Sequence, residues 1–407
     1  MKILMLTPYL PYPLLSGGQI RTYNLLKNLK DKHEITLYSL IKDESEKQHA
    51  PKLEEFCKKI VLLKRTKNPW ALRNILMAGF TAYPFLVTRN MPIRASQRIS
   101  HELDLNHFDL IHAETFYMMP NIPKTKTPIL LVEQTIEYLG YQSYARQSKL
   151  WPIKPLLYID IAKIRFWEQF YWRKASHLVT MSQEDKKFIQ NEVKQKLNID
   201  VVANGVDMKI LAKVKKKLPQ NPTVLFVGTF KWLPNVDAVS FLVKEIWPSI
   251  IEQIPLAKLC IVGFSPTKKI NRYAADPSIT VSGNIKDIRN AYAKAHVLLA
   301  PVRSGAGTRY KILEAMATGT PIVGTSLSVD GLSVRPNQEA LISDTAAGLA
   351  QKTVSLLKNT QMQQKLAQKG KRLVSKKFDW QVISHELDRI YQQLGRKNAK
   401  DGAMVPR

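Results

Sequence analysis

Between Ala300 and Gly324 the chain reads A-P-V-R-S-G-A-G-T-R-Y-K-I-L-E-A-M-A-T-G-T-P-I-V-G. Gly305, Ala306, Gly307 and Thr308 bring little side-chain bulk, so their backbone N–H groups can come close to a ligand. A helical pattern, Tyr310–Ala317, begins directly afterwards. Unpaired N–H groups and the positive end of the dipole at such a start form a cradle for phosphate. Arg309 and Lys311 put two cations on the same turn. A cation at a helix start opposes the dipole, so a bound anion accounts for Arg309 better than helix stability does. Arg309 would add a charge-assisted, bidentate contact. Glu314, one turn on, is a carboxylate able to accept both hydrogen bonds of a diol. The segment calls for a phosphorylated ligand.

Such a loop needs a strand before it and a sheet around it. Val297–Ala300 and Pro321–Gly324 read as strands flanking the helix. Further strands read at Val224–Val227, Lys258–Val262, Ile279–Val281 and Ala340–Ile342. Helical patterns at Val236–Ile251, Lys286–Lys294 and Ala346–Leu357 separate them. The first half repeats the scheme. Lys2–Thr7, Glu34–Leu40, Ile60–Leu63, Leu110–Ala113, Pro128–Glu133 and Leu178–Met181 read as strands, with helices such as Ile20–Leu29 and Ile159–Lys174 between them. Alternation of this kind predicts βαβ units and parallel sheets. A short strand at Val201–Val202 leads into the turn Asn204-Gly205-Val206-Asp207. The basic run Lys209–Lys217, closing on Pro219 and Pro222, reads as a linker. Trp380–Leu394 reads as a last helix, and residues beyond Arg396 as a frayed tail. Open α/β sheets bind ligands at the carboxyl ends of their strands, so two such domains predict a cleft with binding loops from both.

The chain has 407 residues, more than one ordinary core requires, and two domains are expected. Its apolar share of 45% is that of a globular protein. Cys57 and Cys260 are its two cysteines, and neither has metal-ligand spacing, which fits a reducing, cytoplasmic setting. Met1 leads straight into a strand pattern without a signal-peptide pattern. The apolar run 75–87 is broken by Gly79 and Pro84 and is too short to span a bilayer.

The formal net charge of +28 favours anionic partners. Lys64, Arg65, Lys67, Arg73, Arg89, Arg94 and Arg98 lie in an acid-free stretch with Trp70, Phe80, Tyr83 and Phe85. A second basic, aromatic stretch runs from Arg146, Lys149 and Trp151 to Trp172, Arg173 and Lys174. Cations interleaved with aromatic residues suit an anionic bilayer surface. Ordinary amphipathic helices in a lysine-rich chain are the other reading. No nucleic-acid motif accompanies the charge. No G-x-G-x-x-G follows the first strand, which disfavours a dinucleotide.

These residues together resemble the GT-B glycosyltransferases of family 4 (group 1), of the G-x-G-T-R-x-K-I-L-E-A-M-A subgroup. The resemblance rests on order and spacing over nearly the whole chain. Its pieces are P-Y-P-L-L-S-G-G-Q-I-R (Pro11–Arg21), Asn204–Asp207, F-V-G-T-F-K-W-L-P-N-V-D-A (Phe226–Ala238), I-V-G (Ile261–Gly263), V-S-G-N-I-K-D-I (Val281–Ile288), the opening segment, and Phe378-Asp379-Trp380. It implies an α/β GT-B fold of two Rossmann-like domains facing across a cleft, with a C-terminal helix crossing back to the first. The boundaries expected are 1–208 for an acceptor-side domain, 209–222 for the linker and 223–377 for a nucleotide-sugar domain. The crossover helix takes 378–396 and the tail 397–407.

The resemblance also implies roles. Gly17 and Gly18 would offer backbone amides to the sugar diphosphate from the loop beyond the first strand. Glu314 would accept from ribose hydroxyls, and the backbone at Asn284 and Ile285 would recognise the base. Departures are equally specific. The first glutamate of the family's pair falls on Ala306, and its usual arginine and lysine fall on Thr229 and Pro234. Arg309, Lys231 and the amides of Gly305 to Thr308 must then carry the anion. No role falls to Trp232 or Asn235. Glu114 stands where relatives carry a histidine, with His112 read as strand packing. Glu133, Gln134 and Glu137 end the next strand. Glu114 and Glu137 are candidate active-site groups; acceptor recognition and solvated strand ends are the other readings.

What the resemblance implies is retaining transfer of a hexose-type sugar from a nucleoside diphosphate to an acceptor hydroxyl. Neither a metal nor a cofactor is called for, since no D-x-D follows a strand. The charge pattern favours a carbohydrate or lipid-linked acceptor at the inner membrane face, in polysaccharide or envelope assembly, with the protein cytoplasmic and peripheral. A nucleotide-sugar epimerase and a binding protein with decayed catalysis are the alternatives.

Overall fold

A computed structural model describes residues 1–147, 154–305, 307 and 309–403. Lys149, Trp151, Ala306 and Thr308, named above, lie outside the described residues. The chain divides into two compact units, Met1–Ala203 with Ile383–Arg407, and Asn204–Val382.

The first unit holds β1 (Lys2–Thr7), α1 (Gly17–Leu29), β2 (Glu34–Ile41), β3 (Lys59–Lys64), α2 (Leu72–Phe80), α3 (Phe85–Thr88), α4 (Ala95–Leu105) and β4 (Leu110–Glu114). There follow β5 (Ile129–Glu133), α5 (Glu137–Gln147), α6 (Lys154–Lys174), β6 (His177–Thr180), α7 (Gln183–Val193) and β7 (Ile199–Val201). The strands form one parallel sheet in the order β3-β2-β1-β4-β5-β6-β7. β1, β2, β4 and β5 are buried almost throughout, as strands covered on both faces must be. Leu4, Leu6, Tyr38 and Ile111 pack against α4 on one side. On that same face of the sheet, Ala113 and Leu131 form a core with Ile164 and Trp172 of α6.

The second unit holds α8 (Met208–Leu211), β8 (Thr223–Val227), α9 (Leu233–Phe241), α10 (Trp247–Gln253), β9 (Lys258–Gly263), α11 (Lys268–Asn271), β10 (Ile279–Gly283) and α12 (Arg289–Lys294). It continues with β11 (Val297–Ala300), α13 (Tyr310–Ala317), β12 (Ile322–Gly324), β13 (Leu341–Ile342), α14 (Ala346–Lys358) and α15 (Thr360–Lys377). Its parallel sheet runs β10-β9-β8-β11-β12-β13. α16 (Trp380–Ala403) begins in this unit, and from Ile383 on it belongs to the first.

Several expectations change in detail. Gly17 and Gly18 are not in a loop: they are the first two residues of α1, whose N-cap Ser16 accepts from the Gln19 N–H. The helix expected at 236–251 is interrupted by a π turn, Leu242–Ile246, ahead of Pro248. α15 had no counterpart in the sequence reading. The expected tail is helical as far as Ala403. The run 209–217 is no free tether either. Lys216 is docked in the second unit, its Nζ donating to the carbonyls of Tyr292 and Ala295 and to Thr320 Oγ1 at 2.9, 3.2 and 2.6 Å.

Candidate functional site: a phosphate loop and a buried acid network

In the second unit the site is built where β8, β9 and β11 end. Gly228 and Gly263 close the first two strands, and a Cβ on Gly263 would fall 1.6 Å from the Gly228 carbonyl oxygen. No side chain fits between these strand ends, so the backbones meet. The loop after β11 turns through Gly305 (φ +100°) and Gly307 (φ +85°), conformations that glycine reaches without steric cost. Arg309 is the N-cap residue of α13 and is buried. Its guanidinium donates to the carbonyls of Gly305 and Gly307, holding the loop curled, and stands 5.7 Å from the Trp232 ring centroid. The Trp232 ring also lies against Gly305, where a Cβ would meet it at 3.1 Å.

Lys311 is buried too. Its Nζ donates to Asn235 Oδ1 at 2.8 Å and sits 4.3 Å from the Phe226 ring centroid. Asn235 is fixed by its own bond to the Thr229 carbonyl, 2.8 Å. Burial pulls the Lys311 ammonium down to about 7, and the Arg309 charge adds to the effect. Glu314 moves the other way, pushed up by burial to about 7 although Tyr292 donates to its Oε2 at 2.8 Å. Arg309, Lys311 and Glu314 thus come together on one helix start. Asn235 and Trp232, given no role above, hold two of them. Their signal was the run W-L-P-N shortly after a glycine-ended strand.

Lys231 lies apart from that cluster. It is exposed, with its Nζ 5.0 Å from the Phe264 ring centroid. Asn284 follows β10 at φ +52°, and its Oδ1 accepts from the Ser265 N–H at 3.1 Å. Ile285 lines a mainly apolar cavity of about 420 Å³ with Val262, Ser282, Lys286 and Asn290 among others.

In the first unit, Glu114 ends β4 with no surface exposed. Its Oε1 is 3.1 Å from His112 Nε2, and its Oε2 accepts from Gln134 Nε2 at 2.6 Å. His112 Nδ1 meets the Tyr391 hydroxyl from α16. Burial raises the Glu114 carboxyl, but His112, the Arg21 charge and Gln134 outweigh it and hold the group below the ordinary carboxylate range. His112 is therefore buried, as read, but as the partner of Glu114 rather than as packing alone. Thr115 follows at φ +75°, a costly conformation for a β-branched residue, of the order of 1–3 kcal/mol. Gln134 also bonds the Tyr9 hydroxyl, and a Cβ on Gly18 would fall 2.0 Å from that oxygen. Gly18, Tyr9, Gln134 and Glu114 are thus one assembly at the carboxyl ends of β1, β4 and β5, and Gly17 precedes it.

Glu133 and Glu137 part company with it. Glu133 points inward, with Oε1 accepting from Trp172 Nε1 at 3.0 Å, and burial beside Glu168 raises it well above its usual value. Glu168 accepts from the N–H groups of Glu137 and Tyr138 at 2.7 and 3.2 Å, capping α5. Glu137 is the first residue of that helix rather than a strand end, and burial raises its carboxyl to about 7 against the pull of Arg89.

Comparison with known proteins agrees with this architecture. Residues 15–209 match the family model for glycosyltransferase family 4, and residues 221–359 match glycosyl transferases group 1. Among curated proteins, the phosphatidyl-myo-inositol mannosyltransferase of Mycobacterium tuberculosis is 26% identical over 49% of this chain and 55% of its own length. The chain thus spans about half the length of that relative. An uncharacterised protein of a Klebsiella pneumoniae cps region is 20% identical over 93% of the chain and 96% of its own length. Among solved structures, sucrose-phosphate synthase from Thermosynechococcus elongatus superposes with a TM-score of 0.74 at 18% identity, over 97% of this chain and 99% of the other. Anabaena HepE, in complex with UDP and glucose, gives 0.61 at 14% identity, over 97% and 100%. Two parallel-sheet Rossmann-like domains, each matched by its own family model, identify the chain as a member of the group 1, family 4 glycosyltransferases with the GT-B fold.

Proposed function

We propose that this protein transfers a hexose-type sugar, with retention, from a nucleoside diphosphate to an acceptor hydroxyl. The observation that carries the reading is the α13 start: a loop curled through two positive-φ glycines, with Arg309, Lys311 and Glu314 on one turn. The diphosphate takes the loop amides and Arg309, Lys311 adds charge, and Glu314 accepts from the ribose. The backbone at Asn284 and the cavity beside Ile285 receive the base; Lys231 and the amides at Gly17 and Gly18 serve the diphosphate and sugar. HepE's complexes with UDP and UDP-glucose support a donor of this class.

In the reaction the bond from sugar C1 to the diphosphate oxygen breaks, and a bond from C1 to the acceptor oxygen forms on the same face. The acceptor proton passes to the departing diphosphate. Negative charge grows on the leaving group, where fixed dipoles and Arg309 stabilise it without a metal ion. Glu114 acts as an ionised anchor that fixes Gln134 toward the sugar, and Glu137 faces the acceptor. The alternatives, an epimerase and a binding protein without catalysis, predict donor conversion without acceptor and no conversion at all.

The acceptor side is read as membrane-associated. Trp70, Leu72, Ile75, Leu76 and Phe80 on or beside α2 are exposed, as are Leu156, Ile159 and Phe166 on α6. Lys163 and Trp167 of α6 donate to the carbonyls of Ala78 and Ala82, joining the two exposed stretches. Among the described residues no helix is long and apolar enough to cross a membrane. A lipid-linked saccharide of polysaccharide or envelope assembly suits such a face, on the inner side of the cell membrane. Calorimetry with UDP tests the donor site. R309A is expected to weaken binding roughly 10- to 100-fold, the worth of charge-assisted hydrogen bonds. Unchanged affinity in both R309A and E314A would refute the assignment.

A further inference from the structure

Apart from the assembly around Glu114, the first unit holds a second concentration of charge. Arg65 directly follows β3, Arg89 caps the C-terminus of α3, and Lys42 directly follows β2. Among the described residues none of these three side chains forms an ion pair with an acid. The Nε atoms of Arg65 and Arg89 are buried and have no hydrogen-bond partner. Burial and the charge of Arg89 both push the Arg65 guanidinium down. Lys42 is lowered by burial and by the charges of both arginines, so the three sense one another.

The acids nearby are already engaged. Glu46 Oε1 accepts from the N–H groups of Lys42 and Asp43, at 2.8 and 3.0 Å. Asp160 Oδ1 accepts from the Phe85 N–H at 2.8 Å. Glu137, whose charge acts on Tyr117, is held only partly ionised near neutrality. Tyr117 and Tyr141 complete the surroundings of Arg89, and Tyr141 hydrogen-bonds it. Like charges are thus gathered in a half-buried place, with two buried arginine Nε donors unpartnered, at the carboxyl ends of parallel strands where α/β sheets take ligands. A guanidinium fork is complementary to phosphate geometry.

We propose that Arg65 and Arg89, with Lys42 at the rim, form an anion subsite in the first domain that takes a phosphate group carried by the acceptor. That the phosphate belongs to an acceptor rests on the glycosyl-transfer reading. The anion subsite itself does not, and nucleotide binding at α13 is measured separately so that either can fail alone.

The full-length protein, titrated with UDP and then kept UDP-saturated at pH 8, is titrated with two probes by calorimetry. These are glycerol 3-phosphate and monomeric dihexanoyl phosphatidate. Saturable binding is expected, weakened tenfold or more in R65Q and in R89Q with UDP affinity unchanged. E137Q removes the opposing charge and is expected to tighten binding several-fold, a gain that misfolding cannot mimic. Equal affinity for both probes identifies a free phosphorylated acceptor; tighter or exclusive binding of phosphatidate identifies a lipid headgroup. No binding of either probe by the wild-type chain, or unchanged affinity in R65Q and R89Q or in E137Q, would overturn the proposal.

Discussion

Lys311 and Glu314 are one helical turn apart and titrate toward the same pH from opposite sides, both at about 7. A diphosphate favours the protonated amine, so on that account affinity falls as pH rises above 7. A ribose diol favours the ionised carboxylate, so on that account affinity falls as pH drops below 7. UDP affinity measured from pH 5.5 to 9 is therefore expected to peak near neutrality. K311M should keep only the rising limb and E314Q only the falling one; a flat wild-type profile would count against both roles. Asn235 belongs to the same scale. N235L leaves the Lys311 amine buried without its acceptor, a loss of about 1–3 kcal/mol that thermal melting would show. The sequence places Arg309, Lys311 and Glu314 on one helix start because all three fall within a single short stretch, R-Y-K-I-L-E. It hid Asn235, which lies 76 positions from Lys311, and Tyr391, which lies 279 from His112. Partners of that kind meet only when the sheet order is known.

At the level of the element, strands were legible where burial on both faces leaves continuous apolar runs, and Val297–Ala300 and Tyr310–Ala317 have the ends expected of them. α15 carries little apolar signal, because glutamine and lysine dominate it and only Gln363, Leu366, Gly370 and Val374 are buried. At Gly17 and Gly18 two glycines argue for a loop on propensity, while the Ser16 cap starts the helix there regardless. The close approach of β8 and β9 yields a sharper test. In G263A the new methyl would meet backbone at Gly228, which cannot rotate away, whereas in G18A it would meet the tip of Tyr9. G263A should cost at least the roughly 1–3 kcal/mol of ordinary overpacking and lower the melting temperature by several degrees. G18A should chiefly displace Tyr9 and Gln134, lowering transfer rate more than stability.

Over the whole molecule, the proposed membrane contact assigns attraction to the formal charge of +28 and shallow insertion to the exposed apolar residues on α2 and α6. Flotation with vesicles containing phosphatidylglycerol should retain the wild-type protein at low salt and lose it in F80E and F166E; retention on pure phosphatidylcholine, or by both variants, would argue against it. The charge was legible from composition, but its separation into an exposed stretch and the half-buried group around Arg65 and Arg89 needed the fold. One further consequence lies in α16. A Cβ on Gly395 would fall 2.5 Å from Met1 Cε, Asp388 pairs with Lys32 and His33 at 2.7 and 2.9 Å, and Tyr391 reaches His112. A ribosome makes the first domain's sheet early but the helix that finishes its core only after the second domain's strands. That domain is therefore completed only after the second has been synthesised, and its acid network, which needs Tyr391, closes no earlier.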